Sequence, residues 1–582
     1  MSQPNRIDGG QVDRTVELTF RWNNKALTGH PGDTLASALL ANGVKLVGRS
    51  FKYHRPRGIF TAGSEEPNAL VTLGNGAKQE PNTRATMVEL FDGLTARSQN
   101  HRGPRGFDLL AANDLLAPFL SAGFYYKTFM WPPALWEKLY EPVIRAAAGL
   151  GALSGDPDPD TYDHGFLHCD LLVIGAGPAG LTAALTAGRA GLRVIVADED
   201  FRMGGRLNAE TYEVAGISGA DWARDAVREL ATLPNVRLLP LTTVYGAYDH
   251  GIFGALERKT DHLGSAPERP RQVLWRIYTR RSLLCAGATE RPIAFANNDR
   301  PGIMLAGSVR EYVNRFGVAP GMSVAVLSNN DDGLRTAVDL AAKGVDVAAT
   351  IDTRTGDAII DSRGRKAVHS VLTRRDRTIP LDCVAVSGGW SPNVQLTCHH
   401  RGRPVWRDDI AAFVPGPDLP PGMTVAGAAN GTMTLSAALR EAHEAATTIA
   451  ADLGGNATSD PPPEASDEPA KISAFWHVTD KTPRAWVDLQ NDVTTKDIAQ
   501  SSREGFHAVE HLKRYTTLGM ATDQGRTSNV LGLAIMAEER GQTIEETGTT
   551  IFRPPYTPVP IGAFGGRARG PDFRPTRLTP SH

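Results

Sequence analysis

Apolar and polar positions fall along this chain in runs that predict its elements. The sharpest is the apolar run Leu171-Leu172-Val173-Ile174. It leads into Gly175-Ala176-Gly177-Pro178-Ala179-Gly180 and then Leu181-Thr182-Ala183-Ala184-Leu185. A short unbroken apolar run reads as a buried strand, and the Ala/Leu-rich stretch after it as a helix. A second apolar run, Val194-Ile195-Val196-Ala197, stops at Asp198. Strand, glycine turn, helix, strand, acid is the order of a parallel α/β unit. Elsewhere, residues 16–20 alternate as a half-buried strand does, and 33–43 read as a capped helix closed by Gly43. Strands are expected over 236–244, 283–286 and 323–327, with helices over 334–342 and 434–449. Beyond 494, Ile498, Phe506, Val509 and Leu512 can supply one apolar helix face.

These runs divide the chain. Residues 12–105 predict a small α+β domain, and 106–165 an aromatic-rich connection. Residues 166–455 predict a two-dinucleotide-binding-domain α/β fold whose second Rossmann unit, about 320–385, is degenerate. A Pro-rich linker (456–472), a small helical domain (473–550) and a Pro/Gly-rich tail (551–582) follow.

The glycine turn carries the chemistry. Gly175 permits the turn, Gly177 lets backbone approach a pyrophosphate, and Gly180 lets the helix pack on the strand. Unpaired N–H groups at the helix N-terminus would face the phosphates. Asp198 would accept hydrogen bonds from an adenosine ribose and repel a 2′-phosphate. Gly204-Gly205-Arg206-Leu207 would turn under the cofactor, and Val244 would approach the adenine. In the second unit, Ser328-Asn329-Asn330-Asp331-Asp332-Gly333 stands where a phosphate turn wants glycines, and its two aspartates would repel a pyrophosphate. FAD enzymes of this fold usually carry Asp after the glycine of the closing turn; here Gly427 is followed by Ala428, which favours NAD over FAD.

Composition adds boundaries. Lys+Arg number 62 against Asp+Glu 64, for a net charge of −2, so nothing points to nucleic acid. No apolar run approaches the roughly 18 residues of a membrane span, and Met1-Ser2-Gln3-Pro4-Asn5-Arg6 lacks the apolar core of a signal peptide. The expectation is a soluble cytoplasmic protein. Cys169, Cys285, Cys383 and Cys398 lie far apart, so neither a disulfide framework nor a metal site is expected. The run Arg49-Ser50-Phe51-Lys52-Tyr53-His54-Arg55-Pro56-Arg57 reads as a docking face, an anion site or a solvated loop. The aromatics Phe119, Phe124, Tyr125, Tyr126, Phe129, Trp131, Trp136 and Tyr140 are expected to pack between domains, or alternatively to form a subunit interface.

The opening strand, the Asp33-Thr34-Leu35 helix and the loop after it resemble a plant-type [2Fe–2S] ferredoxin, whose cluster needs thiolates. The corresponding positions hold Thr61, Glu66 and Ala69. The passage from Lys513 to Arg526 resembles a small helical [2Fe–2S] domain of amine and opine dehydrogenases, whose cysteines fall at Asp488, Gln490, Asp523 and Ser528. Both are therefore expected as cluster-free scaffolds, with no Fe–S in the protein. Lys513, Arg514, Thr516 and Thr517 form a cationic, hydroxyl-bearing group suited to a phosphate.

Together these stretches, with Pro31–Leu40 and Ser50–Gly58, are similar to the heterotetrameric sarcosine oxidase alpha subunit family. The fold implied is a glutathione-reductase-like flavoprotein body flanked by a ferredoxin-like domain and a small helical domain. The resemblance implies a complex that demethylates sarcosine to glycine and passes a one-carbon unit to tetrahydrofolate. FAD is then on a β partner subunit, FMN at the interface with it, smaller subunits complete the complex, and a tightly bound NAD sits in this chain. It further implies that Ala179, Asp198, Glu199, Arg206 and Val244 line the NAD site, with Ala428, Met433 and Leu435 covering it. Lys513, Arg514, Thr516 and Thr517 would meet a flavin phosphate. No catalytic acid or base is evident. The family continues into a folate-binding domain where this sequence stops at His582, so folate chemistry is not expected of this chain. A stand-alone FAD/NAD(P)H oxidoreductase and a truncated non-catalytic scaffold remain as alternatives.

Overall fold

The computed structural model describes residues 3–581 apart from 104–105, 129, 148–150, 265, 267, 457–459, 467, 481–482 and 568–578. Phe129 and most of the far tail thus lie outside the described residues, as do the side chains of Tyr125 and Tyr126. Among the described residues no helix is long and apolar enough to cross a membrane.

The N-terminal module is a twisted sheet of β1 (Leu18–Trp22), β2 (Lys25–Gly29), β3 (Leu70–Leu73), β4 (Glu80–Arg84) and β5 (Thr95–Ser98), ordered β2-β1-β5-β3-β4. Helix α1 (Leu35–Ala41) is wholly buried. Its N-terminus is fixed by a capping box in which Thr34 accepts the Ser37 N–H and Ser37 accepts that of Thr34. In the loop after it, Glu66 fills the centre. Its carboxylate accepts the backbone N–H groups of Phe60 (2.9 Å), Thr61 (2.6 Å), Asn68 (2.7 Å) and Ala69 (2.9 Å).

The central sheet is built on β6 (Tyr162–Ile174), followed by α2 (Pro178–Arg189), β7 (Val194–Ala197), α3 (Gly219–Thr232), β8 (Val236–Leu239), β9 (Thr242–Tyr248), β10 (Ile252–Arg258) and β11 (Gln272–Leu284). The strands lie in the order β8-β7-β6-β11-β10-β9. Leu171, Leu172, Val173 and Ile174 are buried because α2 covers one face and Val244, Ala247, Phe253 and Ala255 of β9 and β10 pack against the other, which is why the run is uninterrupted apolar. The strand starts earlier than the apolar run suggests. Residues 162–168 alternate in burial and are held by parallel pairing with 272–278, so sheet hydrogen bonding rather than hydrophobicity extends it.

The second unit comprises β12 (Ala288–Glu290), β13 (Ile303–Leu305), α4 (Ala306–Asn314), β14 (Ser323–Ser328), α5 (Asp331–Ala342), β15 (Asp346–Asp352), β16 (Cys383–Ser387) and β17 (Trp390–Pro392). It has a parallel sheet ordered β13-β16-β14-β15. Strand β18 (Met423–Val425) returns to pair with β11, and α6 (Leu435–Asp452) packs on α2. The two aspartates of the β14–α5 turn prove to be spent on arginines: Asp331 on Arg354 (2.7 Å), Asp332 on Arg206 and Arg310 (3.0 Å each). The stretch predicted as a free linker docks here. Asp331 N–H donates to Lys471 O, Lys471 N–H to Asp331 Oδ2 and Ser473 N–H to Asn329 O, each at 3.0 Å, so residues 471–473 are held on the β14–α5 turn.

The C-terminal module holds β19 (Trp486–Asp488), β20 (Val493–Thr494), α7 (Thr495–Arg503), α8 (Val509–Thr516) and α9 (Asn529–Arg540), around Ile498, Leu512, Leu531 and Ile535. The basic run of the N-terminal module is neither a solvated loop nor a docking face. Arg55 and Arg57 are drawn inward by Asp299, which Arg55 Nε meets at 2.6 Å, and Arg57 Nη2 meets Asp492 of the C-terminal module at 2.5 Å. Both guanidiniums lie over the Trp486 ring, 5.1 and 5.2 Å from its centroid. The run joins three modules because buried carboxylates wait for it. The aromatic connection behaves oppositely: Phe124 is buried, but Phe119 and Trp131 are exposed, with Phe107, Leu109, Leu115 and Leu116 beside them in sequence. Trp136 and Tyr140 are half-buried, so among the described aromatics of this connection only Phe124 is fully packed away.

Candidate functional site

The glycine turn has the geometry its sequence requires. Gly175 has φ +97°, and a methyl there would stand 2.5 Å from the Cys285 carbonyl oxygen. A methyl on Gly180 would lie 1.8 Å from the Gly175 carbonyl oxygen, so only glycine lets α2 press onto the strand end. Gly177 differs: its backbone is ordinary (φ −74°), and a methyl would meet nothing closer than the Gly205 Cα at 4.0 Å. That open side faces a cavity of about 380 Å³.

Nearly all the residues expected around a nucleotide border this cavity. Gly175, Gly177 and Ala179 form its floor at the N-terminus of α2; Asp198, Glu199 and Val244 line one end. Arg206 lies toward the other, and Ala428, Met433 and Leu435 line it from the closing turn. Gly180 lies beneath the floor and does not reach the cavity.

Asp198 has a task that the sequence did not reveal. Its Oδ2 accepts the Ala176 N–H (2.6 Å) and its Oδ1 the Asp200 N–H (2.9 Å), bracing the glycine turn. Burial, aided by the neighbouring Asp200 and Glu199 charges, pushes its carboxyl up to about 7 despite those two donors. Glu199 takes the Ser64 hydroxyl on Oε1 at 2.6 Å. Arg206 is paired with Glu210 and Asp332 and stacks on Trp390 at 4.2 Å, which fixes it at the junction of the two units.

Of the group expected to meet a phosphate, Lys513, Arg514, Thr516 and Thr517, three side chains turn to partners of their own helix. Thr516 donates to Leu512 O (2.7 Å) and accepts from Leu518 N–H, Thr517 donates to Thr516 O, and Arg514 pairs with Glu510 at 3.2 Å. Hydroxyls at the end of a helix find backbone carbonyls first.

Sequence reasoning missed Ser64, Glu65, Glu290, Arg526 and Tyr556, all on the cavity. Glu290 receives the Gly307 N–H at 2.7 Å; burial first, then Asp332, pushes its carboxyl up to about 8 against the Ser387 and Gly307 hydrogen bonds. Arg526 closes the passage that begins at Lys513, but nothing local marks it, Ser64 or Glu65 as facing a turn far away in sequence.

Residues 482–567 match the sarcosine oxidase A3 domain family, 170–212 the FAD binding domain family, and 15–101 the 2Fe-2S iron-sulfur cluster binding domain family. The last corrects the expectation of no Fe–S: an iron–sulfur domain is present. That expectation weighed ligand positions alone, whereas the domain is identified by its whole strand–helix–loop pattern. Within 15–101 there is no cysteine, and Glu66 occupies the loop's N–H groups, so these residues supply no thiolate to a cluster. For a dinucleotide the residues do fit, with an open cradle at Gly177 and acids at the strand end.

A sarcosine oxidase subunit alpha of Rhizobium meliloti is 50% identical over 98% of this chain and 60% of that protein. Its counterpart in Corynebacterium sp. (strain U-96) is 35% identical over 100% of this chain and 60% of that protein. The chain thus spans about three fifths of the length of these curated relatives. Among solved structures, an L-proline dehydrogenase from P. horikoshii superposes with a TM-score of 0.71 at 20% identity, covering 96% of this chain and 99% of that one. This likeness shows the fold, a mixed α/β body shared along nearly the whole chain. Over the length it shares with them, the chain is a homologue of the alpha subunits of sarcosine oxidase.

Proposed function

We propose that this chain is the nucleotide-holding part of the alpha subunit of a multi-subunit sarcosine, or N-methyl amino acid, oxidase. In this reading NAD lies in the cavity and a flavin-bearing partner subunit carries out the demethylation to glycine. The observation that carries it is the cavity itself: an open glycine cradle at a helix N-terminus, bordered by the residues that the family resemblance assigns to NAD. The N–H groups of α2 would receive the pyrophosphate, Glu199 the adenosine ribose, and Val244 the adenine side, with Ala428, Met433 and Leu435 covering the site. NAD supplies hydride chemistry where it turns over. The exposed large apolar side chains concentrated in one stretch of chain, Leu115, Leu116, Phe119 and Trp131, support a subunit role, since such side chains fit burial against a partner.

A second reading, FAD in the same cavity of an independent oxidoreductase, is favoured by the FAD binding domain match at 170–212. Against it stands the β14–α5 turn of the second unit, where a nicotinamide dinucleotide would have to bind and where residues 471–473 are hydrogen-bonded instead. The test is tagged purification from cells that make the chain naturally. The proposal expects a flavoprotein partner to co-purify and the assembly to consume oxygen with sarcosine. A lone chain loaded with flavin and oxidising NAD(P)H would establish the second reading instead.

A further inference from the structure

Parts of the chain far apart in sequence meet at one carboxylate of the cavity. Glu199 closes β7; Ser64 comes from the N-terminal module, Arg526 from the C-terminal module and Tyr556 from the tail, and all four line the same space. The contacts form a relay. Arg526 Nη1 donates to Ser64 Oγ at 2.5 Å, and Ser64 Oγ in turn donates to Glu199 Oε1 at 2.6 Å. The single hydroxyl hydrogen of Ser64 is therefore committed to Glu199, and its lone pair to the guanidinium. Arg258 Nη2 holds the same residue from behind, donating to Glu199 O at 2.7 Å. The Arg526 guanidinium also lies over the Tyr556 ring at 5.2 Å, and its charge acts on the half-buried Glu65 carboxyl.

Arg526 is itself rigidly placed. The loop that carries it turns through Gly519 and Gly525, both at positive φ and both packed on Asn529. Asp523 ties the loop by accepting from the Gly525 N–H and the Thr527 hydroxyl. Arg84 of the N-terminal module clasps Thr522 O next door. A displacement of the C-terminal module would thus be felt at Glu199 through two hydrogen bonds.

We propose that Arg526 is a positioning residue of the nucleotide site: acting through Ser64, it aims Glu199 at the adenosine ribose, so that bound nucleotide and the docked C-terminal module stabilise each other. This deepens the nucleotide reading given above and rests on it. Coupling of this kind is reciprocal, so whatever Arg526 adds to nucleotide affinity, the nucleotide adds to docking of residues 482–567.

The experiment uses the full chain and NAD. Release of NAD is followed after rapid desalting for the wild type, Arg526→Ala, Ser64→Ala, Ser64→Thr and the Arg526→Ala/Ser64→Ala double variant. Hydrogen exchange over 519–536 is read with and without NAD. Loss of one charge-assisted hydrogen bond should speed release about tenfold or more in each alanine variant. The double variant should be no faster than the faster single, and Ser64→Thr, which keeps the hydroxyl, should remain near wild type. NAD should protect 519–536 in the wild type and not in Ser64→Ala, a variant that removes one oxygen and leaves the loop intact. Wild-type release from both alanine variants, additive effects in the double, or protection unchanged in Ser64→Ala would overturn the proposal while leaving NAD binding standing. A wild-type chain that neither carries nor binds NAD would overturn both.

Discussion

Replacing Gly177 by alanine separates the fold from the site. The position has φ −74°, which alanine adopts freely, and the added methyl meets no heavy atom nearer than 4.0 Å. Stability should therefore change by less than about 1 kcal/mol, and in the favourable direction, because alanine has fewer unfolded conformations to lose. The methyl points into the space where the α2 N–H groups would meet a pyrophosphate. Crowding a well-packed contact by one methyl costs about 1–3 kcal/mol, which at 1.4 kcal/mol per decade is a roughly 10- to 100-fold loss of NAD affinity. Gly180→Ala is the contrast. Its methyl would stand 1.8 Å from the Gly175 oxygen, where a C···O contact needs about 3.3 Å, so α2 must move about 1.5 Å off the strand. That displaces buried Leu181, Ala184 and Leu185, at a cost of about 3 kcal/mol. Urea midpoints report the fold and equilibrium dialysis with NAD reports the site. Gly177→Ala should lose binding with its midpoint intact; Gly180→Ala should lose both. A Gly177→Ala chain that binds NAD as the wild type does would refute the placement of the pyrophosphate.

Asp299→Ala removes the buried carboxylate that Arg55 and Arg57 share, leaving Arg55 to Asp114 and Arg57 to Asp492, and should destabilise the chain by about 3 kcal/mol in urea titration. Burial raises the Asp299 carboxyl, but Arg55 and Arg57 outweigh it and hold the group well below the ordinary carboxylate value. Its contribution is thus present above the unfolded value of about 3.9 and is lost as pH falls below that, so a wild-type stability curve should steepen there and the variant's should not. Glu66→Ala strands four buried N–H groups in the N-terminal module and should cost about 3 kcal/mol or more, read as faster amide exchange over 60–69. Leu115→Asp alters a residue 84% exposed, so the chain's own melting should stay within about 0.5 kcal/mol while co-purification with a partner weakens; an unchanged yield of partner would remove this patch from the interface.

What could be read from the sequence was local. The turn at 175–180 and the strand ending at Asp198 are legible because strand, glycines and helix follow one another without a break, with Gly180 pressed on Gly175 within the same turn. The double role of Asp198 is hidden because hydrogen bonds to backbone leave no mark on composition. Arg55 and Arg57 looked like surface charge because their partners, Asp299 and Asp492, lie hundreds of residues away. Arg526 was hidden for the same reason. At Thr516 and Thr517 the hydroxyls donate to carbonyls of their own helix end, a contact that the run of donors in the sequence does not show. The iron–sulfur expectation failed by weighing a handful of ligand positions against a whole domain pattern.

The most direct test of the account is to unfold the purified chain in acid and identify by mass spectrometry the small molecule set free. The account predicts NAD, close to one per chain, and its loss from Gly177→Ala. Release of flavin adenine dinucleotide in its place, or of no nucleotide from a chain that also fails to take up added NAD, would contradict it.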